Sequence, residues 1–262
     1  YYSPGVFGTT IGLAEKFGLD RVIDFPVAES LMTSKSIGMA IDGMRPVLVH
    51  QRLDFSIYAL DAVINWMSLW KFKSGGKNNL PITIRAIIGK GWGQGPQHSQ
   101  SLEAWFSHIP GLKVVAPALA SDAKGAIISA IRDDNPVVFV EHRMLYNLEE
   151  SVLEEPYTSE IGKARILRKG NDITIVGISH MVIESLRAHK HLENIDISAE
   201  VIDPIWLSPL DIDTISASVE KTGRLLVVDT GWLPCGAGAE ISMQVIERLQ
   251  RRKQIIVERT GF

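Results

Sequence analysis

The chain has 262 residues, of which 45% are hydrophobic and 22% charged, and its formal net charge is −3. These values exclude a disordered or collagen-like chain, and they do not favour binding to nucleic acid or to an anionic membrane. The single cysteine, Cys235, cannot form an intrachain disulfide, and no apolar run approaches the ~20 residues of a membrane span. We therefore expect a reducing compartment, either the cytoplasm of a bacterium or archaeon or a mitochondrial or plastid matrix.

In the first half of the chain, short apolar runs alternate with longer amphipathic stretches. The apolar runs predict strands at Arg21–Asp24, Pro46–His50, Pro81–Ile87, Leu112–Ala116 and Pro136–Glu141. The amphipathic stretches predict helices at Glu29–Asp42, Phe55–Phe72, Leu102–His108 and Ser121–Arg132. Continuous strands of this type, separated by helices, indicate an α/β fold with a parallel sheet covered on both faces.

The alternation is interrupted by the acidic stretch Asn147–Glu160 and then starts again. Further strands are predicted at Asp172–Gly177, Ser198–Asp203, Arg224–Asp229 and Gln254–Glu258, and helices at Met181–Leu192, Asp211–Lys221 and Ala237–Arg251. We predict one domain over residues 1–150, a linker over 151–160 and a smaller, incomplete α/β domain over 161–262. The chain begins at Tyr1 without methionine and stops at Phe262 just after a glycine, and we expect it to be a piece of a longer chain, truncated at both ends.

The stretch Gly89–Gln100 is the most unusual part of the sequence. It reads GKGWGQGPQHSQ, follows a predicted strand and contains His98. Loops at the carboxyl ends of parallel strands line ligand crevices, and histidine is the side chain best suited to proton transfer near neutral pH. A flexible surface loop with an incidental histidine is the alternative.

Two other positions carry possible chemistry. Glu29 opens a helix of small and apolar residues, where the helix dipole alone would account for a carboxylate. A raised pKa in an apolar site would instead make it a proton partner. Phe55 opens the next predicted helix, which Asp54 or Ser56 could cap, and its ring could belong to the core or stack on a ligand.

Several segments together are typical of one family. They read IDFPVAES, DFSIYALDAVIN, FKSGG, GPQHSQSLEAWFSHIPGLKVVAPA and SDAKGAIISAIRDDNPVVFVEH, in that order. With them the chain resembles the beta subunit of the thiamin-diphosphate-dependent decarboxylase, the first component of 2-oxo acid dehydrogenase complexes. Pyruvate, branched-chain 2-oxo acid and acetoin dehydrogenases have such subunits. The resemblance implies a pyrimidine-binding domain followed by a transketolase C-terminal-like domain.

The resemblance also implies roles for individual residues. Glu29 would hydrogen-bond the aminopyrimidine ring nitrogen of thiamin diphosphate, Phe55 would pack on that ring, and His98 would act in proton transfer as the acyl group passes to a lipoyl sulfur. Catalytic roles thus fall to Glu29 and His98, and cofactor binding to Glu29 and Phe55. A structural potassium ion would be ligated, largely through backbone carbonyls, by Ile82, Ala130, Ile131, Asp133 and Asn135.

The G-D-G…N motif that binds the diphosphate through Mg²⁺ in thiamin enzymes is not found in this sequence. The resemblance therefore implies an alpha subunit that holds Mg²⁺ and the diphosphate, an alpha2beta2 heterotetramer, and an isolated chain without activity. A lipoyl acyltransferase and a small 2-oxo acid would be its other partners. Two alternatives remain open. One is the C-terminal half of a split transketolase or a deoxyxylulose-phosphate synthase-like enzyme, and the other is a catalytically silent assembly subunit.

Overall fold

The structure is a computed structural model that describes residues 6–261 and contains two five-stranded sheets. The strands, numbered along the chain, are β1 Val47–His50, β2 Thr83–Ile88, β3 Lys113–Val115, β4 Val137–His142, β5 Arg165–Arg168, β6 Ile173–Gly177, β7 Ala199–Asp203, β8 Trp206–Ser208, β9 Arg224–Val228 and β10 Ile256–Thr260. The first sheet has the order β1-β2-β4-β3-β8, and the second has the order β10-β9-β6-β7-β5.

Helices cover these sheets. They are α1 Leu13–Phe17, α2 Glu29–Ile41, α3 Trp70–Lys73, α4 Glu103–Ser107, α5 Ala120–Arg132, α6 Met181–Glu193, α7 Ile212–Thr222 and α8 Ala237–Leu249. Apart from the differences described below, each predicted helix and strand is present with ends that shift by about two residues, the usual uncertainty of such boundaries. The longest α-helices between residues 6 and 261 have 13 residues, and none of the helices there could cross a membrane.

The centre of the fold is the parallel pairing of β2 with β4, from Thr83 opposite Val137 to Ile88 opposite His142. Both strands are almost completely buried, as expected for parallel strands with a helical layer on each face. The same hydrophobic core continues into the second sheet, where it includes Val227. The two sheets therefore form one packed body, in which loops from either sheet can contact the other.

Two edge strands were not predicted, and both run antiparallel to their neighbours. β5 pairs with β7 in the second sheet, and β8 pairs with β3 in the first. The predicted α/β fold with parallel sheets is confirmed, but the prediction of four strands in the second half missed these two strands. β8 has only three residues and lies between Pro204 and Pro209, so it is too short to show a period. Through it, the completely buried Trp206 completes the sheet of the first half.

The predicted strand Arg21–Asp24 is wrong. These residues form a turn followed by unpaired extended chain, and Ile23 is half exposed. A strand requires a hydrogen-bonded neighbour, which a local apolar pair such as Val22 and Ile23 does not supply.

The predicted helix Phe55–Phe72 is wrong as a single element. A 3₁₀ segment over Leu53–Ala59 and a π segment over Ala62–Met67 precede the short helix α3. In the π turn the Ser68 N–H donates to the Val63 carbonyl at 3.0 Å, while the Ser68 hydroxyl donates to the Ile64 carbonyl at 2.7 Å. A serine hydroxyl that competes for a helical carbonyl disturbs the regular ladder. Because the predicted helix is divided into these segments, Phe55 lies in a 3₁₀ segment instead of on a long regular helix.

Candidate active site

Glu29 is the first residue of α2, as predicted. Ala28, which precedes it, provides no side-chain cap, and a negative charge in the first helical turn is favoured by the helix dipole. Glu29 is half buried, whereas the neighbouring Val27 is 95% exposed and Leu31 is 59% exposed. The carboxylate therefore lies at an open surface with apolar side chains around it.

Phe55 and His98 lie next to each other. Phe55 belongs to the 3₁₀ segment Leu53–Ala59, and His98 ends a second 3₁₀ turn, Pro96–His98. Their ring centroids are 5.3 Å apart and their planes are perpendicular, which is the edge-to-face arrangement that aromatic rings favour. Both side chains are half buried, so each ring retains an accessible part.

A hydrogen bond beside these rings ties their two segments together. The carboxylate of Asp54 accepts the backbone N–H of Gln100 at 3.0 Å. Burial raises the pKa of Asp54, while the Gln100 N–H favours its charged form. Asp54 therefore tethers the loop that carries His98, and the idea that it caps a helix is wrong.

His50, the last residue of β1, links the segments that carry Glu29 and Phe55. Its Nε2 lies 3.3 Å from the Thr33 hydroxyl and its Nδ1 lies 3.0 Å from the Ser56 hydroxyl. Thr33 is one helical turn after Glu29 on the same face of α2, and Ser56 follows Phe55 directly. Burial lowers the pKa of His50 to about 4, so the imidazole is neutral at neutral pH and offers one donor and one acceptor.

In the sequence, His50 is only the last residue of the predicted strand Pro46–His50. A usable signal was its place at the carboxyl end of a parallel strand, where ligand crevices form. Its hydroxyl partners are separated from it by 17 and 6 residues, and no local pattern indicated them.

The loop from Gly89 to Gln100 folds back on itself. A Cβ atom on Gly89 would lie 2.2 Å from the carbonyl oxygen of His98, so this close approach requires glycine. The Arg52 guanidinium donates to the side chain of Gln94 and to the Gln51 carbonyl. These contacts join the loop to Arg52 and bring its two ends together.

The predicted potassium ligands lie together, but their polar groups already have partners. Arg45 donates to the carbonyl of Ile131 at 3.2 Å and to that of Asp133 at 2.9 Å. The ammonium of Lys113 lies 2.7 Å from both carboxylate oxygens of Asp133. The carbonyls of Ile82 and Ala130 each accept a backbone hydrogen bond, and Asn135 donates through its backbone and side-chain N–H groups to the Asp133 carboxylate.

Two cationic side chains therefore already contact these groups, Arg45 at the carbonyls of Ile131 and Asp133 and Lys113 at the carboxylate of Asp133. In this arrangement the residues do not fit a potassium ion. The potassium assignment stays a prediction from the resemblance.

Comparison with known families places two matches on the chain. Residues 2–149 match the transketolase pyrimidine-binding domain, and residues 162–262 match the transketolase C-terminal domain. A solved structure described as a split-gene transketolase, an inactive beta4 tetramer, superposes with a TM-score of 0.76. It covers 96% of this chain and 80% of its own length at 22% identity, which supports the fold alone.

Curated relatives are much more similar in sequence. The chain is 45% identical over 245 residues to the pyruvate dehydrogenase E1 component subunit beta of Bacillus subtilis, and 44% identical to that of Staphylococcus aureus. These alignments cover 93% of this chain and 75% of each relative. The beta subunit of acetoin:2,6-dichlorophenolindophenol oxidoreductase from Cupriavidus necator is 44% identical over 244 residues, which is 93% of this chain and 72% of the relative.

Proposed function

Because this chain belongs to the transketolase-like family of E1 beta subunits of 2-oxo acid dehydrogenase complexes, we propose that it supplies the aminopyrimidine half of a shared thiamin diphosphate site. Membership of the family implies thiamin-diphosphate-dependent activity. The observation that carries the proposal is the contact of Phe55 with His98, on a segment that His50 links to the helix of Glu29.

These residues fit the aminopyrimidine chemically. A carboxyl group can hydrogen-bond a ring nitrogen, and a partly accessible aromatic ring can pack on a heteroaromatic face. When bound, thiamin diphosphate supplies the carbon nucleophile and the electron sink for decarboxylation. Glu29 holds a proton at the ring nitrogen, and Phe55 orients the ring and excludes water from it.

His98 is the proton-transfer residue of the proposed reaction. Its imidazole is half buried and reaches the same surface as the Phe55 ring. In the proposed reaction it moves a proton as the acyl group from a small 2-oxo acid passes to a lipoyl sulfur. The lipoyl group belongs to an acyltransferase component.

An alpha subunit that carries the diphosphate and Mg²⁺ completes the site, in an alpha2beta2 assembly. Its docking surface on this chain surrounds Glu29 and Phe55, where Val27, Leu31 and Tyr58 expose large apolar areas. Exposed apolar surface of this kind, next to polar functional groups, is typical of an interface. Cytoplasm, or the matrix of an organelle, remains the predicted compartment.

The test compares the chain alone with the chain assembled with its alpha subunit. Carbon dioxide release from pyruvate and from branched-chain 2-oxo acids is measured with thiamin diphosphate and Mg²⁺. Reduction of a dye acceptor is measured with the same substrates and with acetoin, which has no carboxyl group to lose. We expect activity only from the assembly. Appreciable decarboxylation by the chain alone would refute a half site, ketol transfer from a sugar phosphate would favour the split transketolase, and an inactive assembly would favour a silent subunit.

A further inference from the structure

The loop that carries His98 is attached to the second sheet at both of its stems. One stem is Lys90, just after β2, and its ammonium donates to the backbone carbonyl of Thr230. The other stem is Ser101, whose hydroxyl lies 2.9 Å from the Thr230 hydroxyl. Thr230 follows β9, and Ser101 is 129 residues away from it in sequence. Thr230, just after a strand of the second sheet, thus contacts both ends of the loop.

Two buried carboxyl groups lie next to Ser101 and Thr230. Glu103 is 2% exposed and Asp229 is 7% exposed. Their carboxyl groups lie close together, because a Cβ atom on Gly231 would be 3.0 Å from Asp229 Oδ2 and 3.2 Å from Glu103 Oε1. The Ser101 hydroxyl lies 2.8 Å from Glu103 Oε2, and the Gly231 N–H donates to Asp229 Oδ1 at 3.0 Å. Two charged carboxylates this close in a buried site would repel each other, so one of them must carry a proton.

Burial, together with the negative charge of Asp229, raises the pKa of Glu103 to about 8. Burial also raises the pKa of Asp229. Lys90 is the cation that faces this pair, and its ammonium favours the charged form of Asp229. Glu103 is therefore the proton carrier, and it donates to the carboxylate of Asp229.

One direction of donation satisfies every group in this network. The Thr230 hydroxyl donates to Ser101, the Ser101 hydroxyl donates to Glu103, and Glu103 donates to Asp229. The Ser101 hydroxyl then donates one hydrogen bond and accepts one, and the Thr230 hydroxyl donates one. A fully satisfied buried network of this kind holds its members in one geometry.

We propose that Thr230, supported by the protonated Glu103–Asp229 pair, is a positioning residue that holds the His98 loop against the second sheet. The proposal rests on the proposed function, because the position of the loop matters for catalysis only if His98 transfers a proton. Asp54 and Gln100 fix the same loop to the Phe55 segment. The network thus joins the loop of His98 to the second half of the chain, where no catalytic residue is proposed.

The first test is hydrogen exchange of peptides that cover residues 89–100, in the full chain. Thr230→Val keeps the carbonyl that binds Lys90 and removes the hydroxyl that binds Ser101. We expect about five- to tenfold faster exchange in the loop, the effect of one lost hydrogen bond, and recovery in Thr230→Ser. Thr174→Val is the matched control, because Thr174 is also a buried threonine of the second sheet with hydroxyl partners.

The second test uses pH. The folded pKa of Glu103 lies above its ordinary value of 4.5, so the stabilisation it gives is complete at low pH and is lost as pH rises through about 8. Protection factors of the loop should therefore fall above pH 8 in the wild type. They should persist in Glu103→Gln, because an amide donates to Asp229 without a titratable proton. Asp203→Asn removes another buried carboxyl whose pKa is raised to about 8, and it serves as the control.

The third measurement uses the assembled enzyme. We expect Thr230→Val to lower kcat for acyl transfer by about tenfold with an unchanged KM for the 2-oxo acid, as misplacement of a reacting group does. Unchanged loop exchange in Thr230→Val, or altered exchange with unchanged kcat, would overturn the positioning role. A wild-type assembly that does not decarboxylate 2-oxo acids would overturn the proposed function instead, and that result is obtained before any variant is made.

Discussion

The ring of Phe55 meets the imidazole of His98 edge-on, with 5.3 Å between the centroids. The contact joins the two 3₁₀ turns of the candidate site. It leaves part of the Phe55 ring accessible, as a residue that packs on a cofactor ring requires.

Replacing Phe55 by leucine keeps an apolar side chain and removes the ring. We expect the assembled enzyme to bind thiamin diphosphate about 2- to 10-fold more weakly, because aromatic ring contacts contribute about 0.5–1.5 kcal/mol beyond burial. Titration of tryptophan fluorescence measures the affinity. Phe72→Leu, at an 85% exposed phenylalanine of α3, is the control and should bind normally. Equal affinities in both variants would contradict the packing role.

Glu29→Gln removes the proton-holding carboxyl and keeps its size. We expect decarboxylation by the assembled enzyme to fall about 10²- to 10⁴-fold, the range for a lost acid–base group. The free energy of unfolding should change by about 1 kcal/mol or less, the contribution of one charge at a helix start. Glu15→Gln changes the first turn of α1 in the same way and should retain activity. Full activity of Glu29→Gln would exclude the catalytic assignment.

His50 should make the fold sensitive to acid. Its pKa in the folded chain is about 4, below the ordinary 6.5, so the unfolded chain binds the proton first as pH falls. Its contribution is complete above pH 6.5 and is lost as pH falls towards 4, a decrease of roughly 3 kcal/mol in the free energy of unfolding. His142, with a pKa lowered to about 3, adds to the loss in the same range.

His50→Gln can keep both hydroxyl partners and does not titrate. Urea unfolding at pH 7.5 and pH 5 should therefore show a smaller acid loss in this variant than in the wild type. His191→Gln, on the exposed side of α6, is the comparison and should behave as the wild type. The same pH dependence in all three proteins would show that His50 is not the source.

A variant of Arg45 can test whether a potassium ion binds beside the carbonyls of Ile131 and Asp133. Arg45→Ala removes the donors to the carbonyls of Ile131 and Asp133, and we expect a loss of about 0.5–1.5 kcal/mol because the side chain is half exposed. An equal loss of unfolding free energy in KCl and in NaCl would agree with Arg45, and not an ion, as the partner of these carbonyls. Stability that rises with KCl concentration and not with NaCl would show instead that an ion binds there.

The surface around Glu29 should be required for assembly. Val27→Asp puts a charge on a side chain that is 95% exposed, so the isolated chain should unfold as the wild type does. Association with the alpha subunit should weaken about 30-fold or more, the effect of losing a contact worth 2 kcal/mol. Analytical ultracentrifugation measures it. Ile195→Asp, at an exposed site after α6, should assemble normally. Unimpaired assembly of Val27→Asp would place the interface elsewhere.

Local sequence was sufficient for most of the fold. A strand buried on both faces must be apolar along its length, which is why β2 and β4 could be found from their own residues. The start of α2 at Glu29 was also correct. For the candidate site, the motifs indicated Glu29, Phe55 and His98, and the structure shows Phe55 beside His98.

Tertiary structure alone decided the partners of these residues. Composition and period report how strongly a residue is buried, but they carry no information about which distant group it meets. The pairing of β8 with β3, the two hydroxyl partners of His50, and the attachment of Ser101 to Thr230 all join parts of the chain that only packing brings together. The sequence by itself therefore determined the family and the layers, and it indicated the candidate reactive side chains. The structure decided how the sheets are joined and what holds the His98 loop in place.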